Sequence, residues 1–548
     1  MLQLMNAPPG YGDALARLET DRVVSRIWAH DHTVWKEAPT EISNRLGWLH
    51  LPETMPDSID EIEGFAAEVR EGRFEHVLLL GMGGSSLAPE TFSRIYGAET
   101  GALELTVLDS THPAAVANVE DRLDLSKTLV LVATKSGTTT ETLSFYRHFQ
   151  QRIASVGRDP GRHFIAITDP GSPLVEIARE ASFRRVFEND PNIGGRYSAL
   201  SSFGLVPAAL LGVDLRALLE RSQAVSRRCT LASGLQDNPA AALGAFLGAS
   251  ARAGRDKLTL ILSEPLAGLG DWIEQLVAES TGKEATGILP VVDEPLANPN
   301  AYGDDRVFVH LRFEDDRSCN NAVEALATAG HPVARLSIAD RYELGAVFFV
   351  WELATAVASH LLGINPFDQP NVESAKRLAR ELVEAYRRTG QPPEREGTPL
   401  SAEGLAEALQ QTRSGEYVAF QAYVPPSTRV LDAIRGLRSI LVSRSGVATT
   451  FGFGPRYLHS TGQLHKGDGG GGRFVQLIAA CDDDLPIPEA EESASPTLTF
   501  GTLLDAQAGG DRQALLDAGR TVTTFEAPAD PSEMIREAAR LLSEGGKT

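Results

Sequence analysis

Short runs that are apolar at every position, each closed by a Gly/Ser/Thr-rich turn and followed by an amphipathic stretch, recur along most of the chain. Residues 77–80 lead into Gly81-Met-Gly-Gly-Ser-Ser86 and a helix opened by Pro89. Residues 129–132 lead into Thr134-Lys-Ser-Gly-Thr-Thr139, and 164–167 into Asp169-Pro-Gly-Ser-Pro173, each with a helix behind it. Continuously apolar strands that alternate with helices predict a parallel sheet covered on both faces. The plan repeats with strands at 258–262, 307–311 and 333–338, a helix over 272–279 and a long one over 342–362. Before the first unit, 11–51 reads as amphipathic helices with Trp28, Trp35 and Trp48 packing inward.

Residues 387–414 are polar and rich in Pro, Gly and Glu, which predicts a linker. Beyond it, strands are expected at 417–423, 439–443 and 474–479, then helix, strand and helix, with 469–472 a flexible loop tip. The fold class is therefore α/β: two doubly wound parallel-sheet lobes with an additional smaller α/β C-terminal region. The expected division is a helical segment over 1–55, lobes over 56–225 and 226–385, and the C-terminal region over 415–548.

Composition narrows the partners. The 548 residues carry 51 Lys+Arg against 73 Asp+Glu, a formal net charge of -22, which argues against nucleic acid. A small anionic substrate stays open, because a few local cations overrule the global field. Cys229, Cys319 and Cys481 form no CxxC pair, so neither a disulfide framework nor a zinc site is expected, and a reduced cytoplasmic protein is. The first ten residues lack the basic flank and apolar run of a signal peptide. The apolar stretch 346–363 contains Glu352 and His360 and reads as a buried helix, so no membrane span is expected.

Lysine is rare here, with eight against 43 arginines, yet Lys135, Lys283, Lys376 and Lys466 all fall inside the motifs that carry chemistry. Arginine does not replace lysine where a compact or titratable ammonium is needed. The glycines and serines of Gly83-Gly-Ser-Ser86, between strand and helix, suit a phosphate cradle. Thr134-Lys-Ser-Gly-Thr-Thr-Thr-Glu141 adds a cation and several hydroxyls at another strand end, and Thr138 with Glu141 has capping-box spacing. Two such loops point to a phosphate monoester, and no P-loop motif is present.

Asn192-Ile-Gly-Gly-Arg-Tyr-Ser198 can aim Arg196 into a cleft to hold an oxyanion. Gln275 and Glu279 share a helix face, and Glu279 lies at the helix C-terminus, where the dipole favours the protonated form a general base exchanges with. In Asn365-Pro-Phe-Asp-Gln-Pro-Asn371, Asp368 reads as an N-cap and Pro370 as an early helical residue, with Lys376 two turns in and able to pair with Glu373. Arg456-Tyr-Leu-His-Ser-Thr-Gly-Gln-Leu-His-Lys-Gly467 concentrates two histidines, at a spacing unsuited to a metal.

Taken together, GMGGSSL (81–87), TKSGTTTET (134–142), GGRYSALSSFGL (194–205), ESTGK (279–283), NPFDQPNVESAK (365–376) and YLHSTGQLHKG (457–467) resemble the glucose-6-phosphate isomerase (phosphoglucose isomerase) family. That family is built from two sugar-isomerase (SIS) lobes. The last motif and the tail over 499–515 are similar to the isomerase half of bifunctional transaldolase/phosphoglucose isomerases, and a stand-alone isomerase is expected because no transaldolase barrel fits.

The resemblance implies reversible interconversion of glucose 6-phosphate and fructose 6-phosphate through a cis-enediol, without metal or redox cofactor, in a homodimer. It implies Glu279 as the base moving a proton between C2 and C1, Arg196 on the enediolate, and Lys376 with His459 at ring opening. It places Gly83, Gly84, Ser85, Ser86, Lys135, Ser136, Thr138 and Thr139 around the 6-phosphate, and Gln275, Gln369 and His465 on the substrate. His459 is preferred to His465 for ring opening because its whole HSTGQ pentapeptide matches. The histidine motif follows the Lys376 segment by about 80 residues rather than preceding it, so the site must be closed by a different connectivity, such as a partner subunit.

Rival readings are a dual glucose/mannose 6-phosphate isomerase and a non-catalytic SIS-type regulator that binds sugar phosphates. The presence of Glu279, Arg196 and Lys376 counts against the second. A SIS-type amidotransferase needs an N-terminal cysteine where this chain has Leu2, and is discarded.

Overall fold

The computed structural model describes residues 2–413, 415–489 and 496–544. Among these, fifteen strands form three five-stranded sheets. The chain opens with β1 (Leu2–Met5), a strand the sequence reading did not foresee. The first lobe contains β2 (His76–Gly81), β3 (Glu104–Leu108), β4 (Thr128–Ala133), β5 (Phe164–Thr168) and β6 (Arg185–Glu188), all parallel. The second contains β7 (Lys257–Leu262), β8 (Leu289–Val291), β9 (Arg306–Phe313) and β10 (Val333–Ile338), likewise parallel. Its fifth strand is β1, antiparallel to β10 with Leu2 opposite Leu336.

The C-terminal unit holds β11 (Thr398–Pro399), β12 (Tyr417–Tyr423), β13 (Ala448–Phe453), β14 (Gly472–Ala479) and β15 (Thr521–Ala527), again all parallel. The three orders, β3-β2-β4-β5-β6, β8-β7-β9-β10-β1 and β13-β12-β14-β15-β11, follow one rule. The leading strand is second from one edge, its successor flanks it outside, and the next two build inward-out on the other side. The C-terminal unit is therefore a third sheet of the same plan. Only the outermost fifth strand differs in origin, coming from later in the chain, from its very start, or from just ahead of the unit.

Two expectations in this region are corrected. Residues 439–443 are not a strand but part of the helix Thr428–Ser445, because Val430, Ala433, Ile434, Leu437 and Leu441 are buried at helical spacing. The 387–414 linker shrinks, since Thr389 ends a helix and Ala402–Gln410 forms another whose Leu405, Ala406 and Leu409 are buried. Ser414 lies outside the described residues.

One apolar core joins the opening helices to both lobes. The stretch read as a buried helix is Leu344–Leu362, packed along Pro239–Arg252, and it is the one described helix long and apolar enough to cross a membrane, with 94% of that window buried in the fold. Trp48 is fully buried against Tyr197 and Phe349, and Trp35 meets Phe367 edge-on, so the opening segment braces the loops that follow Gly195 and Asn365. A buried Arg306–Glu294 pair at 2.9 Å, with Glu294 also accepting from the Thr449 amide, fastens the C-terminal unit to the second lobe.

Candidate active site

Glu279 is in the last turn of Leu269–Thr281, with Gly282 at its C-cap. Its Oε1 lies 3.0 Å from Arg196 Nη1, with 3% and 12% of the Arg196 and Glu279 side chains exposed, and its Oε2 accepts from Gln275 Nε2 at 3.0 Å. The guanidinium is fixed from all sides. Nε donates to Ser280 Oγ at 2.8 Å, Nη1 to Gln369 Oε1 at 2.8 Å, and Nη2 to the Pro366 carbonyl. A planar fork held this way can meet a developing oxyanion without reorganising.

Two glycines bring the first-lobe loop onto this corner. Gly83 has φ +54, and a Cβ there would fall 2.8 Å from Gln275 Nε2 and 2.9 Å from the His459 carbonyl. A Cβ on Gly84 would lie 2.1 Å from the Gly195 carbonyl, one residue before Arg196.

The C-terminal unit supplies the other side. Arg456 reaches between the lobes, with Nη1 on Asp109 at 2.8 Å and Nη2 on Asp271 at 3.1 Å and on Glu90. With that clamp set, the turn Arg456–His459 presents His459 Nε2 to Glu141 Oε1 at 3.0 Å, while the His459 carbonyl accepts from Gln275 Nε2 at 2.9 Å. Gln275 therefore bridges the Glu279 carboxylate and the His459 backbone, and its own buried Oε1 has no protein partner among the described residues. Burial pushes the Glu141 carboxyl up, but His459 and the Lys376 charge more than offset this and hold it below the usual range.

Glu141 is the residue that sequence reading assigned to the wrong task. The helix Thr140–Ser155 has Thr139 as its N-cap with no side-chain cap bond, and Glu141 turns to His459 instead. Asp368 is likewise no N-cap. Asn371 holds that position, and Asp368 takes Lys283 Nζ at 2.8 Å. Burial, then the Arg196 charge, lowers the Lys283 ammonium to about 8.

The loop 134–139 leads into Thr140–Ser155, and there Ser136 and Thr138 are exposed and their hydroxyls meet at 2.9 Å. Lys135 donates to Asp169 and to the Pro191 carbonyl, and Thr139 Oγ1 pairs with Thr134 Oγ1 at 2.8 Å. Gly83, Gly84, Ser85 and Ser86 line the adjoining loop. Ser86 turns inward, fully buried, with its hydroxyl on the Gly83 carbonyl and Asp109.

Lys376 is half-buried, 3.3 Å from Glu373, and contacts neither Glu279 nor His459 directly, although its charge is felt at Glu141. His465 is placed away from solvent. It is buried inside the C-terminal unit beside Tyr417 and Phe474, with Gln421 at 3.4 Å. Burial, with Lys466 and Arg520 adding to it, holds His465 well below the usual histidine range. Among the described residues no cluster of three or more His, Cys, Asp or Glu side chains could hold a metal.

Residues 54–303 match the family model described as phosphoglucose isomerase. Over that span the chain is similar to phosphoglucose isomerases. Its relatives include the glucose-6-phosphate isomerase of Acaryochloris marina, 29% identical over 72% of this chain and 82% of that protein. That of Synechococcus elongatus is 29% identical over 74% and 83%. Among solved structures, a hypothetical protein from Thermus thermophilus is 27% identical with a TM-score of 0.58, covering 70% of this chain and 100% of that one. A glucose-6-phosphate isomerase from Chlamydia trachomatis, at 21% identity and a TM-score of 0.51 over 66% and 78%, shares the fold. The phosphoglucose isomerase match ends at residue 303, so His459 and the third sheet lie beyond it.

Proposed function

We propose that this protein interconverts glucose 6-phosphate and fructose 6-phosphate. The observation that carries the reading is the double role of Gln275, which ties the Glu279 carboxylate to the segment bearing His459 and so gathers both halves of an aldose–ketose isomerisation in one cleft. The 6-phosphate sits on Ser136, Thr138 and the amino end of Thr140–Ser155, where free amides favour an anion. His459 moves the ring hydroxyl proton, with Lys376 on the same side. Glu279 takes the proton from C2 and returns it to C1, while the proton of O2 passes to O1. Arg196 stabilises the enediolate oxygen, and it is close enough to do so because it already touches Glu279.

A cytoplasmic location is part of this reading, supported by three free cysteines. A homodimer is also proposed; Glu141 and His459 meet within one chain. Purified protein assayed with fructose 6-phosphate, coupled to oxidation of the glucose 6-phosphate formed and with EDTA present, tests the activity. No turnover overturns it. Size-exclusion chromatography tests the dimer.

A further inference from the structure

Glu141 accepts two hydrogen bonds on one oxygen. Oε1 receives His459 Nε2 at 3.0 Å and Gln507 Nε2 at 2.7 Å. Gln507 stands on the helix Phe500–Asp517 of the C-terminal unit, and its carbonyl accepts Thr111 Oγ1 at 2.8 Å from the loop after β3. Thr111, Gln507 and Glu141 are all buried. Their roles are fixed by elimination: an ionised carboxylate only accepts, so Gln507 must turn its amide N–H to Glu141 and its carbonyl to the Thr111 hydroxyl.

We propose that Gln507 is a positioning residue for ring opening, holding Glu141 so that His459 carries its proton on Nε2 and keeps Nδ1 free as the base towards the substrate. This rests on the isomerase reading. The Glu141–His459 pair alone leaves the carboxylate one partner short in a buried place, free to swing off the imidazole. The second donor removes that freedom, and Thr111 prevents the amide from flipping. Gln507 itself does not touch the reacting atoms.

Gln507→Leu should lower kcat on ring-closed fructose 6-phosphate about 10-fold or more with KM nearly unchanged, the scale of a misplaced catalytic group. On 5-deoxy-fructose 6-phosphate, which lacks the hydroxyl that closes the ring, the variant should match the wild type. Gln507→Glu keeps the shape, and its introduced carboxyl can donate to Glu141 only when protonated. Activity on the ring-closed sugar should therefore return at low pH and fall as pH rises. Equal losses on both substrates, or no loss on either, overturn the proposal. Nitrogen-15 NMR of the His459 ring reads the tautomer without turnover: Nε2–H in the wild type and a mixture in Gln507→Leu are expected. An unchanged tautomer overturns the role of Gln507 even if the wild type turns over no sugar phosphate, so the two failures are told apart.

Discussion

Arg196 Nη1 and Glu279 Oε1 lie 3.0 Å apart, so the side chain read as the base and the side chain read as the enediolate partner are in contact with each other. Glu279→Gln keeps the contact with Gln275 but cannot take a carbon-bound proton. It should lower kcat by roughly 10²-fold or more while leaving KM near its original value. Steady-state rates with fructose 6-phosphate check this, and wild-type turnover would remove Glu279 from the role.

The exposed hydroxyls of Ser136 and Thr138 stand over the amino end of Thr140–Ser155, whereas Thr139 is engaged with Thr134. A hydrogen bond to a charged group contributes about 1.5–3 kcal/mol, so the Ser136→Ala/Thr138→Ala double variant should raise KM roughly 10-fold or more with little change in kcat. An unchanged KM would move the phosphate site elsewhere.

His459 and His465 separate cleanly. His459→Ala should lose most activity on ring-closed fructose 6-phosphate and retain it on the open-chain analogue. His465→Ala empties a buried position between Tyr417 and Phe474 and should lower the unfolding midpoint. Thermal melts and paired assays distinguish them, and a selective ring-opening defect in His465→Ala would reverse the assignment.

Glu274 accepts Ser460 Oγ at 3.1 Å, and loss of hydration, with Asp271 beside it, pushes its carboxyl up to about 8. In the unfolded chain the same group loses its proton near its ordinary value, about 4.3. Between those two values the folded state binds the extra proton, so Glu274 makes stability fall as pH rises through the window and has no further effect above it. Glu274→Gln should therefore leave the unfolding midpoint unchanged near pH 4.5 and raise it relative to wild type near pH 8.5. Denaturant titrations at the two pH values check the sign, and an equal shift at both would show that the effect is not electrostatic.

The lobes were legible because parallel strands covered on both sides are apolar at every position, as in Leu78, Leu79 and Leu80. Residues 439–443 misled because a short apolar run looks alike in a strand and in a buried helix face. Glu279, Arg196 and Gln275 came together as their motifs suggested. Glu141 did not announce itself, since its spacing from Thr138 fits a local cap and its partner lies 318 residues away. The burial of His465 was not legible either, because proximity in sequence to His459 says nothing about which residues of the short helix Gly462–Gly467 turn inward.

Strand β1 makes the order of synthesis matter. Among the described residues the strand partner of Leu2–Met5 is Val333–Leu336, so these residues wait unpaired until more than three hundred later ones have been made. At about 5–20 residues per second, that is roughly 20–70 s of translation. During that interval the first lobe, whose sheet is closed by residue 188, can form without them. The second sheet acquires its outer rim by taking back a segment synthesised far ahead of the rest of that sheet, and a bulky substitution in Leu2–Met5 would burden that late step.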